Sequence, residues 1–340
     1  MITEKLEITE EKYESGISRA ADILSDGGIV AIPTETVYGL AASAYSDDAI
    51  RAVFTAKGRP QDNPLIVHIS DMEMLKDVAA DIPPAAYKCA EKFWPGPFTM
   101  VLKRAEGIAS CVSAGLDTVA VRMPSDKVAH DIIKASGIPL AAPSANTSGA
   151  PSPTSAYHVI NDLDGKIDAV VMGSECTVGV ESTVLSLCGE HPRLLRPGAV
   201  TAEQLRELFD DLIIDKAILS EPERGARVSS PGMKYKHYAP KTEAYLVSGN
   251  SSAFSDFVNG KQNSAAICFA EDADKLKCRK IVYGTAADEC TLAKNVFSAL
   301  RKADGLCADK LYIHAPSKQG VGLAVYNRLI RAAAFRVIEL

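Results

Sequence analysis

The stretch TAKGRPQDNPLIVHI, residues 55–69, contains the change of pattern on which the fold prediction for this chain depends. Its first residues end a predicted helix (47–57), and its last residues (64–69) form an apolar run typical of a buried strand. Between them a glycine and two prolines interrupt both patterns, because glycine permits tight turns and proline cannot continue a helix. Helix, turn and strand alternate in the same way along the chain, which predicts an α/β protein.

Residues 1–208 are predicted to form one α/β domain. Many of its strands are short and bounded by glycine or proline, which favours a twisted, mixed open sheet over a purely parallel one. The predicted strands are 27–34, 64–69, 98–104, 118–124, 139–144, 169–173, 182–187 and 193–198. The predicted helices are 12–25, 47–57, 71–80, 84–92, 126–136, 154–161 and 201–208, the last with Thr201 and Gln204 in a capping box.

A polar segment rich in proline, glycine and serine (220–242) breaks the alternation, and we predict an interdomain linker over 209–242. Residues 243–340 return to the α/β pattern. They predict a smaller, Rossmann-like domain of three layers, with a parallel sheet between helices. Its predicted strands are 244–248, 265–269, 280–283 and 310–313, and its predicted helices are 251–259, 288–302 and 321–334.

The composition limits the class of protein. A chain of 340 residues with 47% hydrophobic and 24% charged residues is expected to be a soluble protein of two domains. Its net charge of −6 argues against strong direct binding to nucleic acid, which needs many cation–phosphate contacts. We expect no signal peptide, no membrane span and a cytoplasmic location, because the N-terminus is charged and no long apolar run is present. The eight cysteines show neither a CxxC pair nor zinc-type spacing, so we expect reduced thiols and no metal site built from protein ligands alone.

Lys57 and Arg59 are the first candidates for chemistry. They lie two positions apart, next to Pro60 and close to Pro64, in a loop with few backbone choices. An arginine fork and a lysine point charge held by a stiff loop suit a phosphate or carboxylate ligand. A solvated turn with two surface charges explains the same residues, and the prolines leave these two interpretations about equally supported.

A second candidate is the loop PLAAPSANTSGAPSPTS, residues 139–155. It places Ser144, Asn146 and Ser152 among small residues, which would let a phosphate approach the backbone just beyond a predicted strand. A flexible surface loop would have the same composition. In AIPTETVYGLAASA, residues 31–44, Thr34 and its neighbours could bind an amine or hydroxyl of a substrate, or could cap a helix.

Single polar residues in apolar surroundings form a third group. Arg122 and Arg196 lie at predicted strand ends, where a charge needs either an ion-pair partner or a ligand. Ser182 in the stretch GVESTV is either a ligand contact or part of a turn. A lone strand histidine such as His68 is more often structural, but beside a pocket it could contact a carboxylate. The sequence contains no Walker, GxSxG, HExxH or kinase motif.

Seven of these stretches follow one another in a fixed order and are more specific together than any of them alone. They are PTETVYGL, KGRPQDNPLIVH, WPGPFT, VRMP, APSANTSGAPSPT, GVESTV and LRPG. This series closely resembles the YrdC-type domain of the threonylcarbamoyl-AMP synthases. The segments SPGMKYKHYAPK and GVGLAVYNRLIRAA resemble the longer, two-domain form of that family, so the resemblance covers nearly the whole chain.

The resemblance implies a YrdC-like first domain and a reaction. Such an enzyme forms L-threonylcarbamoyl-adenylate and pyrophosphate from L-threonine, bicarbonate or CO2, and ATP, with Mg²⁺ accompanying the ATP. A partner transferase would then pass the threonylcarbamoyl group to an adenosine of tRNA.

The resemblance also implies roles for individual residues. A catalytic group would stabilise charge on the phosphates and the carbamate, and it consists of Lys57, Arg59, Ser144 and Asn146. L-Threonine would be bound by Thr34, His68, Arg122, Ala142 and Ser182. Besides the catalytic group, ATP would contact Asn63, Thr118, Ser152, Arg196, Ser230 and Tyr235.

Two other functions stay open from the sequence. A tRNA- or RNA-binding module without its own chemistry could use a basic groove made by Lys57, Arg59, Arg122 and Arg196, although the acidic net charge argues against it. Related domains also occur in hydrogenase-maturation proteins that handle carbamoyl phosphate. The acylphosphatase-like and zinc-finger segments expected in those proteins are absent from this sequence.

Overall fold

The computed structural model describes residues 2–220 and 238–340, in which two β-sheets are each covered by helices. The strands of the first sheet are β1 (Glu4–Glu7), β2 (Val30–Ile32), β3 (Gly39–Ser43), β4 (Ile66–His68), β5 (Ala79–Ala80), β6 (Phe98–Arg104), β7 (Thr118–Arg122), β8 (Leu140–Ala141), β9 (Ala169–Met172), β10 (Thr183–Ser186), β11 (Arg193–Arg196) and β12 (Ile213–Ile214). The helices beside them are α1 (Tyr13–Ser25), α2 (Asp47–Lys57), α3 (Met72–Val78), α4 (Pro84–Phe93), α5 (Lys127–Ser136), α6 (Ala156–Leu163) and α7 (Ala202–Arg206).

The first sheet is mixed, as predicted. Its strand order is β1-β9-β2-β3-β8-β4-β7-β6-β10-β11-β12, with β5 paired to β6. Parallel pairs such as β4–β7 stand next to antiparallel pairs such as β6–β7. The predicted helices are all present with small shifts at their ends, and the capping box of Thr201 and Gln204 is formed.

Four short strands of this sheet were not predicted: β1, β3, β5 and β12. In β3 the sequence GLAAS is buried at every position, so it has neither the polar alternation nor the β-branched residues that mark a strand. The other three are only two to four residues long. Such short edges of a sheet leave no periodic pattern in a sequence.

The two faces of the first sheet are covered differently. One face carries a large core in which residues such as Val53, Val67 and Met100 pack together. On the other face, α1 and α5 cover the half of the sheet that includes β2 and β9. The remaining half has a small cluster of Ile66, Val101, Ala120, Val184 and Leu195, against which Ala217 packs. The candidate active site begins beside this cluster.

The second sheet is parallel throughout, as predicted. Its strands are β13 (Glu243–Ser248), β14 (Ser264–Phe269), β15 (Arg279–Gly284), β16 (Lys310–His314) and β17 (Val337–Glu339), in the order β15-β14-β16-β13-β17. The helices are α8 (Ser251–Asn259), α9 (Glu289–Ala303) and α10 (Gly322–Ala332). Helices α9 and α10 pack on one face and α8 on the other, which gives the three layers.

The predicted linker, 209–242, has structure in its first part. Within it β12 pairs with β11, and a 3-10 turn, Lys216–Ile218, follows. The first domain's sheet therefore extends past residue 208, and residues 221–237 lie outside the described ranges. The domains share apolar contacts, since Val37 and Val180 of the first belong to the core of the second. Among the residues described, no helix is long and apolar enough to cross a membrane.

Candidate active site

One cavity of about 880 Å³, counting the part open to solvent, lies on the sparsely covered half of the first sheet. Most of the residues singled out in the sequence line it, and these are Thr34, Lys57, Arg59, Asn63, His68, Arg122, Ala142, Ser144, Asn146, Ser182 and Arg196. Stretches far apart in the sequence thus meet at one site.

Lys57 occupies the last position of α2 and is almost fully buried. Gly58 caps this helix in the left-handed conformation (φ 59°), which turns the chain toward Arg59 at the cavity. The Lys57 ammonium donates to the carbonyl oxygens of Ser144 and, at 2.6 Å, of Asn146. Burial, and then the nearby Arg59 charge, hold the pKa of Lys57 well below its usual value. An anion bound beside this ammonium would offset both effects and stabilise its charge.

The loop after β8 is held by its own polar groups. Ser144 donates its hydroxyl to Oδ1 of Asn146 at 2.6 Å. The Asn146 amide nitrogen donates to the carbonyl oxygens of Thr147 and Ala150, each at 2.9 Å. The backbone amide of Ser148 donates to the Lys57 carbonyl at 2.8 Å. The loop is therefore fixed against α2, and its hydroxyl and amide groups face the same cavity as Lys57.

Nδ1 of His68 and Oδ1 of Asn63 are buried polar atoms of the cavity wall that have no hydrogen-bond partner among the described residues. A buried polar atom without a partner costs about 1–3 kcal/mol. Such atoms in a cavity wall indicate a ligand that completes them. From the sequence alone, a lone strand histidine such as His68 is more often structural than a ligand contact. Its unpaired nitrogen favours contact with a ligand.

The same residue predicts a pH dependence of stability. Burial, and then the Arg122 charge, lower the pKa of His68 from 6.5 to about 3. Below pH 6.5, His68 therefore binds a proton in the unfolded chain but not in the native protein. The free energy of unfolding is unaffected by this difference above pH 6.5 and decreases as the pH drops toward 3. The loss is at most about 1.4 kcal/mol per pH unit.

We expect urea unfolding to show a steeper loss of stability between about pH 6.5 and about pH 5 in the native sequence than in His68→Gln. The other histidines are present in both proteins, so the difference between the two slopes isolates His68. Parallel slopes would show that His68 takes up its proton in the native state as easily as in the unfolded one.

Arg122 already has a carboxylate partner within the protein. Its guanidinium lies 2.6 Å from a carboxylate oxygen of Glu35, and both side chains are buried. It also donates to the Thr36 hydroxyl at 2.8 Å and to the Gly96 carbonyl at 3.2 Å. Burial, the largest single effect, would raise the pKa of Glu35, but the Arg122 charge together with hydrogen bonds from Arg122 and from backbone amides lowers that pKa. The carboxylate of a ligand would share this guanidinium with Glu35.

Ser182 and Arg196 form the opposite wall. The Ser182 hydroxyl is 2.7 Å from the hydroxyl of Thr99. Arg196 donates through Nε to the Ser182 carbonyl at 3.0 Å and through Nη2 to its hydroxyl at 3.1 Å. Thr34 lies across the cavity and donates its hydroxyl to the Val37 carbonyl at 2.7 Å. These hydrogen bonds hold in place the polar groups that would contact a small polar substrate.

Two of the predicted ATP contacts among the described residues, Thr118 and Ser152, do not line the cavity. Thr118 starts β7, four residues before Arg122, and is partly exposed away from it. Ser152 is buried behind the wall, where its hydroxyl donates to Glu181 at 2.6 Å. Ser230 and Tyr235 lie outside the described residues.

Two residues at the site were not predicted: Tyr238 and Arg328. Tyr238 lines the cavity, is buried, and packs its ring against Phe297 of the second domain at 5.0 Å. A signal for Tyr238 was present in the sequence, because two tyrosines in the otherwise polar segment 220–242 are typical of a segment that packs on another part of the protein. Glu181 also lines the cavity, and it pairs with Arg328 from α10. Nothing in the sequence connects two residues that are 147 positions apart.

Comparison with known proteins agrees with this arrangement. A family model described as "Telomere recombination" matches residues 22–198, and one described as "Threonylcarbamoyl-AMP synthase, C-terminal domain" matches residues 200–334. A protein of Pyrococcus abyssi named threonylcarbamoyl-AMP synthase is 41% identical over 98% of this chain and 99% of its own length. Its namesake in Bacillus subtilis is 40% identical over 98% of both chains.

A solved structure extends the match to three dimensions. The crystal structure of P. abyssi Sua5 complexed with L-threonine is 39% identical to this chain, covers 100% of both chains and has a TM-score of 0.90. The similarity therefore extends over the whole length of the chain and includes both domains. The chain therefore belongs to the family of two-domain threonylcarbamoyl-AMP synthases.

Proposed function

We propose that this chain is an L-threonylcarbamoyladenylate synthase, which forms threonylcarbamoyl-AMP and pyrophosphate from L-threonine, bicarbonate or CO2, and ATP. One observation carries the proposal. A single cavity joins the cations Lys57 and Arg59 to a second group of buried polar residues that includes Thr34, His68 and Ser182. The first group suits phosphate and the second suits a small amino acid, and L-threonine is bound in the similar structure from P. abyssi.

The reaction needs positioning and charge stabilisation more than a covalent nucleophile. The amine of L-threonine takes up CO2 and loses a proton, which gives a carbamate. A carbamate oxygen then forms a bond to the α-phosphorus of ATP while the bond to the bridging oxygen breaks, and the electron pair leaves with pyrophosphate. Negative charge builds on the phosphoryl oxygens and on the leaving group. Fixed cations and hydrogen-bond donors beside these oxygens lower the barrier.

Lys57 and Arg59 would supply the positive charge, and Ser144 and Asn146 would supply polar contacts to the nucleotide. Because two carbonyl oxygens hold the Lys57 ammonium, its position is set before a ligand arrives. A donor fixed in advance loses little conformational entropy when the transition state forms. The unpaired Nδ1 of His68 would accept a hydrogen bond from the L-threonine.

Mg²⁺ would enter with ATP and neutralise part of the charge on its phosphates. Within the described part of the cavity wall the one carboxylate is Glu181, which is paired with Arg328. The unpaired Oδ1 of Asn63, together with Ser144 and Asn146, fits a metal bound by phosphate oxygens and water rather than by carboxylates. These three residues would hydrogen-bond to the water shell of the ion.

We extend the proposal to the fate of the product and to location. A mixed carbamic–phosphoric anhydride is an activated acyl donor, so a transferase acting on tRNA would consume it. The eight cysteines are all free thiols, which fits the reducing cytoplasm where tRNA is modified.

Burial argues against the alternative of a plain RNA-binding module. A nucleic-acid backbone is bound by cations on an accessible surface. Lys57, Arg122 and Arg196 are instead buried in the wall of a cavity. The same cations therefore favour a nucleotide and an amino acid over a tRNA backbone.

The proposal predicts a substrate requirement that can be measured as pyrophosphate release. With ATP and Mg²⁺ present, we expect sustained release when L-threonine and bicarbonate are both added, and a loss of nearly all release when L-threonine is left out. D-Threonine serves as the control, because the fixed walls of the cavity distinguish the two enantiomers. Release that is indifferent to L-threonine would rule out the proposed substrate.

A further inference from the structure

We propose that Arg328 of the second domain is a positioning residue for the reaction, because it holds Glu181 and the backbone beside Ser182 and Arg196 in place. This inference rests on the proposed function. It gives the second domain a defined part in an active site that lies mostly in the first.

Arg328 is fully buried, and all three nitrogens of its guanidinium contact residues of the first domain. Its Nε lies 2.9 Å from a carboxylate oxygen of Glu181, and its Nη2 donates to the Glu181 carbonyl at 3.1 Å. Its Nη1 donates to the Pro197 carbonyl at 2.7 Å. Glu181 directly precedes Ser182, and Pro197 directly follows Arg196. The Arg328 side chain thus fixes the backbone of Glu181 and Pro197, the sequence neighbours of Ser182 and Arg196.

The backbone at this point leaves little room for adjustment. A Cβ atom on Gly198 would lie 2.3 Å from the backbone nitrogen of Thr183, so the two segments touch directly. Arg196 bonds to Ser182 across this same contact. A shift of the Glu181 or Pro197 backbone would therefore be passed on to the wall of the cavity.

The charges explain why a cation is needed at this position. The Glu181 carboxylate is buried and accepts from both Arg328 and the Ser152 hydroxyl. Burial alone would raise the pKa of Glu181, but the Arg328 charge and then the Arg196 charge lower it. Arg196, which bonds to the neighbouring residue Ser182, is a second cation beside this carboxylate. Without Arg328, Glu181 would draw the Arg196 guanidinium away from Ser182.

Other contacts of the second domain act on the same region. On α10, Asn327 donates to the Ile218 carbonyl at 2.6 Å, and Arg331 donates to the Ala217 carbonyl at 2.9 Å. From α9, Arg301 pairs with Asp162, which in turn accepts from the backbone amide of Thr147 beside Asn146. The second domain thus holds the cavity walls from two sides, and Arg328 provides the contact nearest to the substrate groups.

The test compares Arg328→Met, Arg328→Lys, Glu181→Gln and the double variant Glu181→Gln/Arg328→Met. We measure the Kd for the α,β-methylene analogue of ATP, which cannot release pyrophosphate, and the KM and kcat of pyrophosphate release. Arg328→Met is expected to weaken analogue binding and raise the KM for ATP by about 10–100-fold, the effect of a misplaced substrate contact, with a smaller change in kcat. Arg328→Lys keeps the charge and is expected to retain part of the affinity.

The double variant separates positioning from simple structural support. A neutral glutamine in place of Glu181 does not attract Arg196, so we expect the double variant to bind the analogue several-fold more tightly than Arg328→Met alone. Arg279→Met is the control, because this exposed arginine of the same domain donates to Asn263 within that domain. Its binding and turnover should match the native protein.

Two results would overturn the inference: unchanged analogue affinity in Arg328→Met, or a double variant no better than the single one. If Arg328→Met does not fold, Arg328→Lys carries the comparison, and full affinity in that variant would also overturn it. Failure of the proposed function looks different. In that case the native protein releases no pyrophosphate with L-threonine, while the analogue affinities of the variants still decide the role of Arg328.

Discussion

Replacing Lys57 with methionine is expected to lower kcat/KM for pyrophosphate release by about 100- to 1,000-fold, the usual cost of removing a fixed donor beside developing negative charge. Methionine fills a similar volume but carries no charge. Lys57 is 2% exposed, and its ammonium is bound only through carbonyl oxygens among the described contacts. The reaction therefore loses one of the two cations that would stabilise charge on the phosphates.

Stability should respond quite differently to the same change. Burial makes the Lys57 charge costly, so its removal offsets the loss of two hydrogen bonds, and we expect a change of no more than about 2 kcal/mol in the free energy of unfolding. Urea unfolding with circular dichroism measures this, and Lys76→Ala on the exposed side of α3 is the matched control for both assays. A folded Lys57→Met protein with native turnover would contradict the role of Lys57.

Glu35→Ala is expected to lower the free energy of unfolding by about 3–5 kcal/mol, since it leaves the Arg122 charge buried without its partner. The ion pair is 2.6 Å long, and its side chains are only 4% and 7% exposed. Because the pKa of Glu35 is lowered, this stabilisation is present above the unfolded pKa and is lost as the pH falls through the lower native value. Urea unfolding at neutral and acidic pH measures both effects.

The control for this prediction is a surface pair of the same chemistry. Glu4 and Arg19 lie 3.0 Å apart with both side chains largely exposed. Glu4→Ala should therefore cost about 1 kcal/mol or less. Equal losses in Glu35→Ala and Glu4→Ala would show that burial adds nothing to the Glu35–Arg122 pair.

Much of the fold could be predicted from local patterns in the sequence. The apolar runs at 64–69 and 118–124 correspond to β4 and β7, and the parallel second sheet follows from regular helix–strand alternation. β3 could not be found in this way, because a strand of small buried residues has no alternation. The two-residue strand β12, inside the predicted linker, could not be found either, because so short a strand leaves no signal in the sequence.

The functional site could likewise be predicted only where its residues belong to continuous stretches of the sequence. Lys57, Ser144 and Asn146 belong to continuous stretches whose composition already pointed to an anion, and the structure brings them to one cavity. The pairing of Arg122 with Glu35, and of Glu181 with Arg328, depends on strand register and domain contact over long separations. Sequence spacing carries no information about such pairs, so the ion-pair interpretation of Arg122 could not name Glu35, and Arg328 was not considered.

The central claim is that one cavity joins L-threonine, a one-carbon unit from bicarbonate, and AMP. The most direct measurement is a mass spectrum of the products formed from ATP, Mg²⁺, L-threonine and ¹³C-bicarbonate. We predict a species in which AMP carries a threonylcarbamoyl group with a single ¹³C atom, formed together with pyrophosphate and about 100- to 1,000-fold more slowly in Lys57→Met. An adduct of AMP and threonine without the label, or labelled product at native levels in Lys57→Met, would contradict the account.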